Sequence, residues 1–366
     1  MFRMTRLRQP LLQLFQWSTA LAVGALAGFA CARLRTPIPW MLGPLFALAL
    51  LRISGFEIAS PPIARQAGQW IIGTALGLYF TPTVVHQVAG IWAALLAGAA
   101  FAIGMGYVSG ILLAQLAGID RTTGIFASVP GGATEMSTLG ERFGARVDRV
   151  AAAQSLRILL VVAILPATYA LVGVHGADAY VAGATVFDAR GYALLMAATL
   201  GGCMIATALR LPNPFILGSL AIAIPLTAAN VELSAVPQLA SNAGQCLLGC
   251  ALGSRFQRDF LTGAHRFVGA VVISVLLAMV LSALFGVGLA YASGIYPATL
   301  VLGTTPGGVA EMCITAKVLQ LGVPLVTAFH VTRVVVLLTV TAPLFAHLQA
   351  RQAARHHASP LDTPRK

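Results

Sequence analysis

The sequence predicts an all-α polytopic membrane protein built from two homologous copies of one unit. Of its 366 residues, 58% are hydrophobic and only 9% are charged, whereas a soluble domain carries about 25% charged residues. The apolar residues form long runs separated by short, mostly basic loops. One set of motifs also occurs twice in the same order. Together these observations exclude a water-soluble globular protein.

Twelve apolar segments follow one another along the chain, six in each half. In the first half they span 12–34, 38–53, 66–80, 88–117, 122–140 and 150–174. In the second half they span 189–209, 213–230, 242–256, 267–293, 298–316 and 323–347. The first segment follows several arginines and resembles a signal peptide. Its counterpart at 189–209 predicts that it is retained as a membrane helix.

Motif pairs define the repeat. The sequence PWMLGPL from Pro39 returns as PFILGSL from Pro214, and PGGATEM from Pro130 returns as PGGVAEM from Pro306. An AGQ motif, with its glutamine at Gln69, returns with Gln245. Motifs that recur in the same order at nearly constant offset predict a duplicated structural unit.

The fifth segment of each copy carries Pro-Gly-Gly in its middle, and these residues disfavour a continuous helix. If both segments dip in and return, each copy crosses the bilayer five times and the copies are inverted. If all segments cross, the copies are parallel. The first arrangement places most Lys and Arg on one side, as the positive-inside rule requires, and the second divides them almost evenly. We therefore expect about ten crossings, two re-entrant or broken elements and cytoplasmic termini in a bacterial inner membrane.

This arrangement predicts five regions. They are a basic N-terminal tail at 1–10, a first membrane repeat at 11–174, a connecting loop at 175–188, a second membrane repeat at 189–348 and a basic C-terminal tail at 349–366.

Charged residues inside the predicted spans mark a candidate site. Glu135 and Glu311 are the acidic residues within membrane segments, and Arg157 and Arg333 are the basic residues well inside a span. Because an ionised group costs several kcal/mol at mid-membrane, it must be paired, hydrated or functional. One alternative is two structural Glu–Arg pairs that fasten the fifth segment to the sixth.

The other alternative is a solute site between the two motifs. A helix that starts at Pro-Gly-Gly, with proline in its first turn, would point free N–H groups towards the bilayer centre, as in secondary transporters. With the arginines, these would favour an anion, and the glutamates could carry H⁺ or hold Na⁺. The candidate site residues are Pro130, Gly131, Gly132, Glu135, Arg157, Pro306, Gly307, Gly308, Glu311 and Arg333. Gln69, Gln245 and His330 are secondary candidates.

The duplicated PWMLGPL-like and PGGxxEM motifs resemble those of the Gram-negative AbrB family of membrane proteins over roughly residues 10–350. The resemblance implies a regulator of gene expression or an ammonia monooxygenase. The histidines are scattered and form no predicted metal site or other cofactor site, and no segment is long enough for a cytoplasmic DNA-binding domain. Direct contact with nucleic acid is therefore not expected.

The sequence thus favours a secondary transporter or exporter of a small anionic or zwitterionic solute, in contact with the lipid bilayer. The alternatives are a membrane sensor that acts on gene expression through a partner and, third, the monooxygenase that the resemblance implies.

Overall fold

The computed structural model describes residues 2–176, 180–256 and 265–357, which form fifteen helices and no strand. The first half contains α1 Phe2–Arg33, α2 Pro39–Ile53, α3 Ala64–Gly77, α4 Pro82–Gly90, α5 Trp92–Ala117, α6 Arg121–Ser128, α7 Ala133–Arg142 and α8 Val147–Val172. The second half contains α9 Ala189–Ala208, α10 Pro214–Ala228, α11 Gln238–Gly253, α12 His265–Ser293, α13 Pro297–Thr304, α14 Val309–Val318 and α15 Val323–His357.

Six of these helices are long and apolar enough to cross a membrane, so the chain is a multi-pass membrane protein. They are α1, α5, α8, α9, α12 and α15. The helices α2, α3, α10 and α11 have 14 to 16 residues. At 1.5 Å per residue they are about 21–24 Å long, shorter than a hydrocarbon core of roughly 30 Å. The predicted total of ten crossings depends on these four short helices and stays a prediction.

Several predicted boundaries differ from the structure. The segment 88–117 is two helices, because α4 precedes α5. Helix α1 begins at Phe2 and α15 ends at His357, so both extend into the predicted tails. Residues 177–179 of the predicted connecting loop and 358–366 of the predicted C-terminal tail lie outside the described residues.

The helices pack into two bundles, and each bundle takes helices from both halves of the chain. One bundle contains α1, α2, α3, α9, α10 and α11, and the other contains α5 to α8 and α12 to α15. Glycines permit close approach in the first bundle. A Cβ at Gly68 would lie 2.8 Å from the carbonyl oxygen of Gly244, and Gly249 packs on the backbone of Met41. Such small-residue contacts are typical of membrane helices.

The two Pro-Gly-Gly segments form helix hairpins. In the α6–α7 hairpin, the amide of Arg146 donates to the hydroxyl of Thr123 at 2.9 Å, which joins the end of the hairpin to its beginning. The ring of Phe126 on α6 also packs on Gly140 of α7. In the α13–α14 hairpin, Thr299 near the start packs on Gly322 after the end. In each hairpin the first and last residues therefore lie side by side, at the end opposite the Pro-Gly-Gly turn.

Candidate functional site

Each motif proline is the central residue of a tight turn between the two helices of its hairpin. The amide of Gly131 donates to the carbonyl oxygen of the residue before Pro130 at 2.8 Å, and Gly307 makes the same bond around Pro306 at 2.8 Å. This is the hydrogen bond of a γ-turn, and the fixed φ of proline suits its inverse form. The prediction that these prolines lie in the first helical turn is wrong, because α7 and α14 begin three residues later.

The two motif glycines make room for the glutamate and methionine that follow them. Glu135 folds back so that its carboxylate occupies the place that a Cβ of Gly132 would take, and Met136 does the same at Gly131. The same contacts join Glu311 to Gly308 and Met312 to Gly307. The PGGxxEM pattern therefore describes a compact turn in which each glycine contacts a particular side chain of the next helix.

The membrane arginines bind the backbone of the hairpins. Arg157 donates to the carbonyl oxygens of Val129 and Gly131 at 3.1 Å each, and Arg333 donates to those of Thr305 and Gly307 at 2.9 and 2.6 Å. These carbonyls lie at the end of a short helix, where carbonyl groups lack helical partners and the helix dipole favours a cation. Among the described residues, neither arginine forms an ion pair with a motif glutamate, so the predicted Glu–Arg pairs are not formed.

One turn before each arginine, a second polar side chain supports the same hairpin. Gln154 donates from Nε2 to the carbonyl oxygen of Phe126 at 2.9 Å, and Nε2 of His330 lies 3.1 Å from that of Leu302. Gln154 and His330 are fully buried. His330, a secondary candidate for proton transfer, thus contacts the second hairpin in the way that Gln154 contacts the first.

Glu135 connects the two bundles. Its Oε1 accepts a hydrogen bond of 3.2 Å from the backbone N–H of Asn213, the left-handed residue that precedes α10. Its Oε2 is buried and has no hydrogen-bond partner among the residues that the structure describes. Arg65 and Gln69 of α3 point to the side-chain oxygen of Asn213, at 3.1 and 3.4 Å. A carboxylate of one bundle is therefore held against a polar cluster of the other.

This polar cluster lines a cavity of about 360 Å³ between the bundles. The polar side chains of its wall belong to Ser60, Arg65, Gln66, Gln69, Thr134, Glu135, Asn213 and Arg255. A second cavity of about 510 Å³ lies between α7 and α8 and shares Thr134 and Arg255 with the first. A volume of several hundred Å³ with a few convergent polar groups is typical of a small-molecule site.

Glu311 has different surroundings from Glu135. It is 8% exposed, and residues 309–316 of α14 are all buried. Within the described ranges no side chain or amide donates a hydrogen bond to its carboxylate. Gln245 is also buried, but unlike Gln69 it makes no side-chain hydrogen bond to another described residue.

Arg157 of the first half lies close to the tip of the α13–α14 hairpin. Arg157 and Pro306 line the same void of about 10 Å³. The positive charges of Arg157 and Arg333 are close enough to repel each other. Arg157 of the first half is therefore close to Pro306 and Arg333 of the second half, although the open cavity lies beside Glu135.

Sequence reasoning missed Arg65, Asn213 and Arg255 as site residues. The two arginines contributed only to the loop charge that predicts the orientation in the membrane, and the asparagine was not considered. A signal was present, because Asn-Pro opens the α10 motif where Ile-Pro opens its counterpart. Asparagine tolerates the left-handed conformation that φ 43° requires there.

The sequence profile of the AbrB family, described as transition state regulatory protein AbrB, matches residues 40–349. The chain belongs to the AbrB family. It is 28% identical to the uncharacterized protein YhjN of Bacillus subtilis strain 168, over 89% of this chain and 91% of that protein. It is 24% identical to the putative regulator AbrB of Escherichia coli strain K12, over 94% of this chain and 99% of that protein. The expected family is thus confirmed, and the family member described here is a multi-pass membrane protein.

The family names do not assign a chemistry to any residue. Within residues 2–176, 180–256 and 265–357, no three His, Cys, Asp or Glu side chains gather in a way that could hold a metal ion. The monooxygenase activity stays a prediction of the family resemblance alone.

Proposed function

We propose that this AbrB-family protein is a secondary transporter or exporter of a small anionic or zwitterionic solute, which binds between the two bundles. One observation carries the proposal. A buried carboxylate oxygen of Glu135, at the tip of a helix hairpin and beside a polar cavity, has no hydrogen-bond partner within the described ranges. Buried polar atoms without partners are rare and need an explanation. Uptake of a coupling H⁺ or Na⁺ is the explanation that we favour.

The proposed transporter has two inverted repeats, ten crossings and two re-entrant hairpins in a bacterial inner membrane, with both termini in the cytoplasm. The matching turns, glycine contacts and arginine bonds of the two hairpins support a duplicated unit. The hairpin geometry supports re-entry, because each hairpin begins and ends at the same end. The positive-inside rule supports the orientation.

Alternating access follows from the two bundles. The bond between Glu135 and Asn213 joins them across the cavity, and any rotation of one bundle against the other must break it. Protonation or ion binding at Glu135 would weaken this bond and release the bundles. In this mechanism Glu135 couples the ion to the movement, and Glu311 is the second proposed coupling group.

The test is solute counterflow in proteoliposomes that contain the purified full-length protein. Solutes that raise the melting temperature in a screen of amino acids and short carboxylic acids are loaded inside, because a ligand that binds the folded state stabilises it. We expect counterflow with the wild type and its loss in Glu135→Gln. The matched control is Glu232→Gln, at an exposed position in the loop between α10 and α11.

The second candidate function is a membrane sensor, and the regulator names of the family and of the Escherichia coli relative favour it. A sensor binds its ligand and acts through a protein partner without moving the ligand. Saturable binding with no counterflow in any lipid composition would therefore refute the transporter and favour the sensor. Equal counterflow in the wild type and Glu135→Gln would refute the coupling role of Glu135.

A further inference from the structure

Among the described residues, the side chain of Arg255 has no hydrogen-bond or ion-pair partner. It lies directly after α11, it is partly buried, and it lines both the 360 Å³ and the 510 Å³ cavity. In the part of the chain that the structure describes, its guanidinium makes no hydrogen bond and no ion pair. A guanidinium has five N–H donors and no acceptor, so a partly buried one without partners is an incomplete site.

The backbone on both sides of Arg255 is held in place. The hydroxyl of Ser254 accepts a hydrogen bond of 3.0 Å from the amide of Ser60, and the carbonyl of Phe256 accepts one of 3.3 Å from Arg52. Both bonds tie the end of α11 to the first half of the chain. The guanidinium is therefore presented from a backbone that is held on both sides.

A second arginine shares the smaller cavity. Arg65 donates to Asn213 at 3.1 Å, which orients its guanidinium and leaves other donors towards the cavity. The positive charge of Arg65 and the negative charges of Glu311 and Glu135 are all close enough to act on Arg255. The charged residues in the wall of the 360 Å³ cavity are these two arginines and Glu135, whereas Glu141 and Asp148 lie in the wall of the 510 Å³ cavity.

We infer that Arg65 and Arg255 form the binding site for the carboxylate group of a small solute. This inference rests on the proposed function, because it names the chemistry of the transported solute. Guanidinium groups suit both carboxylate and phosphate. A monocarboxylate carries one negative charge, whereas inorganic phosphate at pH 7 carries more and would be repelled more strongly by Glu135 in the same wall. This assignment moves the anion site away from Arg157 and Arg333, whose terminal N–H groups bind backbone carbonyls.

Isothermal titration calorimetry on the detergent-purified full chain tests the assignment. The probes are monocarboxylic acids of two to six carbons, amino acids, the amide of each acid, and inorganic phosphate. We expect at least one acid to bind, with its amide at least about tenfold weaker because the charge-assisted hydrogen bonds are lost. Arg255→Gln and Arg65→Gln should each weaken binding about ten- to a hundredfold. Arg255→Lys should fall between Gln and the wild type, because it keeps the charge and loses the bidentate geometry.

The matched control is Arg142→Gln, which removes a charge at the exposed end of α7. Its affinity should stay within about twofold of the wild type because exposed charges contribute little. The inference is overturned if an acid and its amide bind equally, or if phosphate binds as tightly as the best acid. It is also overturned if no acid binds the folded wild type, or if Arg142→Gln weakens binding as much as Arg255→Gln does. Carboxylate binding without counterflow would sink the transporter and keep this site. Counterflow that is unchanged in Arg255→Gln would refute this binding site and leave the transporter proposal standing.

Discussion

In the α6–α7 hairpin, Glu135 lies beside a cavity of about 360 Å³ and accepts a hydrogen bond from the other bundle. In the α13–α14 hairpin, Glu311 is 8% exposed and is enclosed by protein. The interior of the two hairpins is nevertheless the same, with one turn around proline, two glycine contacts and one arginine that binds two carbonyls. The hairpins differ in what surrounds them.

The residues that face the hairpins account for this difference. Asn213 precedes α10 and offers both its backbone N–H and its side-chain oxygen to the cavity. Ile38 precedes α2 in the same left-handed conformation, but it is fully buried and apolar. The comparison teaches that the motif builds the hairpin, whereas residues outside the motif decide whether a polar cavity lies beside it.

The largest expected effect concerns the arginines. Arg333→Ala should lower the free energy of unfolding by about 3–6 kcal/mol, because two hydrogen bonds to a charged donor contribute roughly 1.5–3 kcal/mol each. Arg157→Ala should cost about 1 kcal/mol less. In Arg157→Ala the carbonyl of Val129 would still accept a hydrogen bond of 2.8 Å from Gln154. In Arg333→Ala the carbonyl of Thr305 would have no such second donor, because His330 bonds to Leu302 instead. Unfolding by a denaturing detergent, followed by tryptophan fluorescence, measures both variants.

Arg142→Ala is the control for these arginine variants, since that side chain is exposed. It should change stability by less than about 0.5 kcal/mol. A loss in Arg157→Ala that equals or exceeds the loss in Arg333→Ala would mean that the second donor on Val129 has no protective effect.

The next effect concerns the second glycine of each motif. A methyl group at Gly132 or Gly308 would take the place of the neighbouring carboxylate. Glu135 can move into its cavity, whereas Glu311 is enclosed. We therefore expect Gly308→Ala to destabilise the protein by about 1–3 kcal/mol through overpacking and Gly132→Ala by under about 1 kcal/mol. The melting temperatures of the purified variants show whether Gly308→Ala is the more destabilising of the two.

The first glycine of each motif provides the matched control. Gly131 and Gly307 both pack on a methionine that is fully buried, Met136 or Met312. Alanine should therefore destabilise the protein to a similar extent at these two positions. Equal losses at Gly132 and Gly308 would contradict the proposed difference between the glutamates.

The sequence predicted the all-helical, multi-pass membrane class, because composition and long apolar runs report on it directly. It placed both breaks within the segments that form the hairpins, and it singled out Glu135 and Glu311. It did not predict the role of Arg157 and Arg333. Their partners are carbonyl groups at the ends of short helices, and such groups have no signature in the side-chain sequence.

The cavity was also beyond the reach of sequence reasoning. Its wall combines α3, the residue before α10, the end of α11 and the start of α7, which are far apart in the chain. Arg65 and Arg255 look like ordinary loop charges until the fold brings them to one cavity. Gln69 and Gln245 occupy equivalent motif positions, yet only Gln69 is a wall residue of this cavity.

The smallest expected effect concerns His330, which corresponds to Gln154 in the first half. His330→Gln should change stability by less than about 1 kcal/mol, because a glutamine amide at the equivalent position makes the equivalent bond to a carbonyl. Counterflow and its pH dependence should also be unchanged if His330 only supports the hairpin. His330→Leu is the control, since it leaves the carbonyl of Leu302 unpaired and should cost about 1–3 kcal/mol. If His330→Gln instead keeps the fold and loses the pH dependence of counterflow, His330 carries the proton, and the second hairpin has a site of its own.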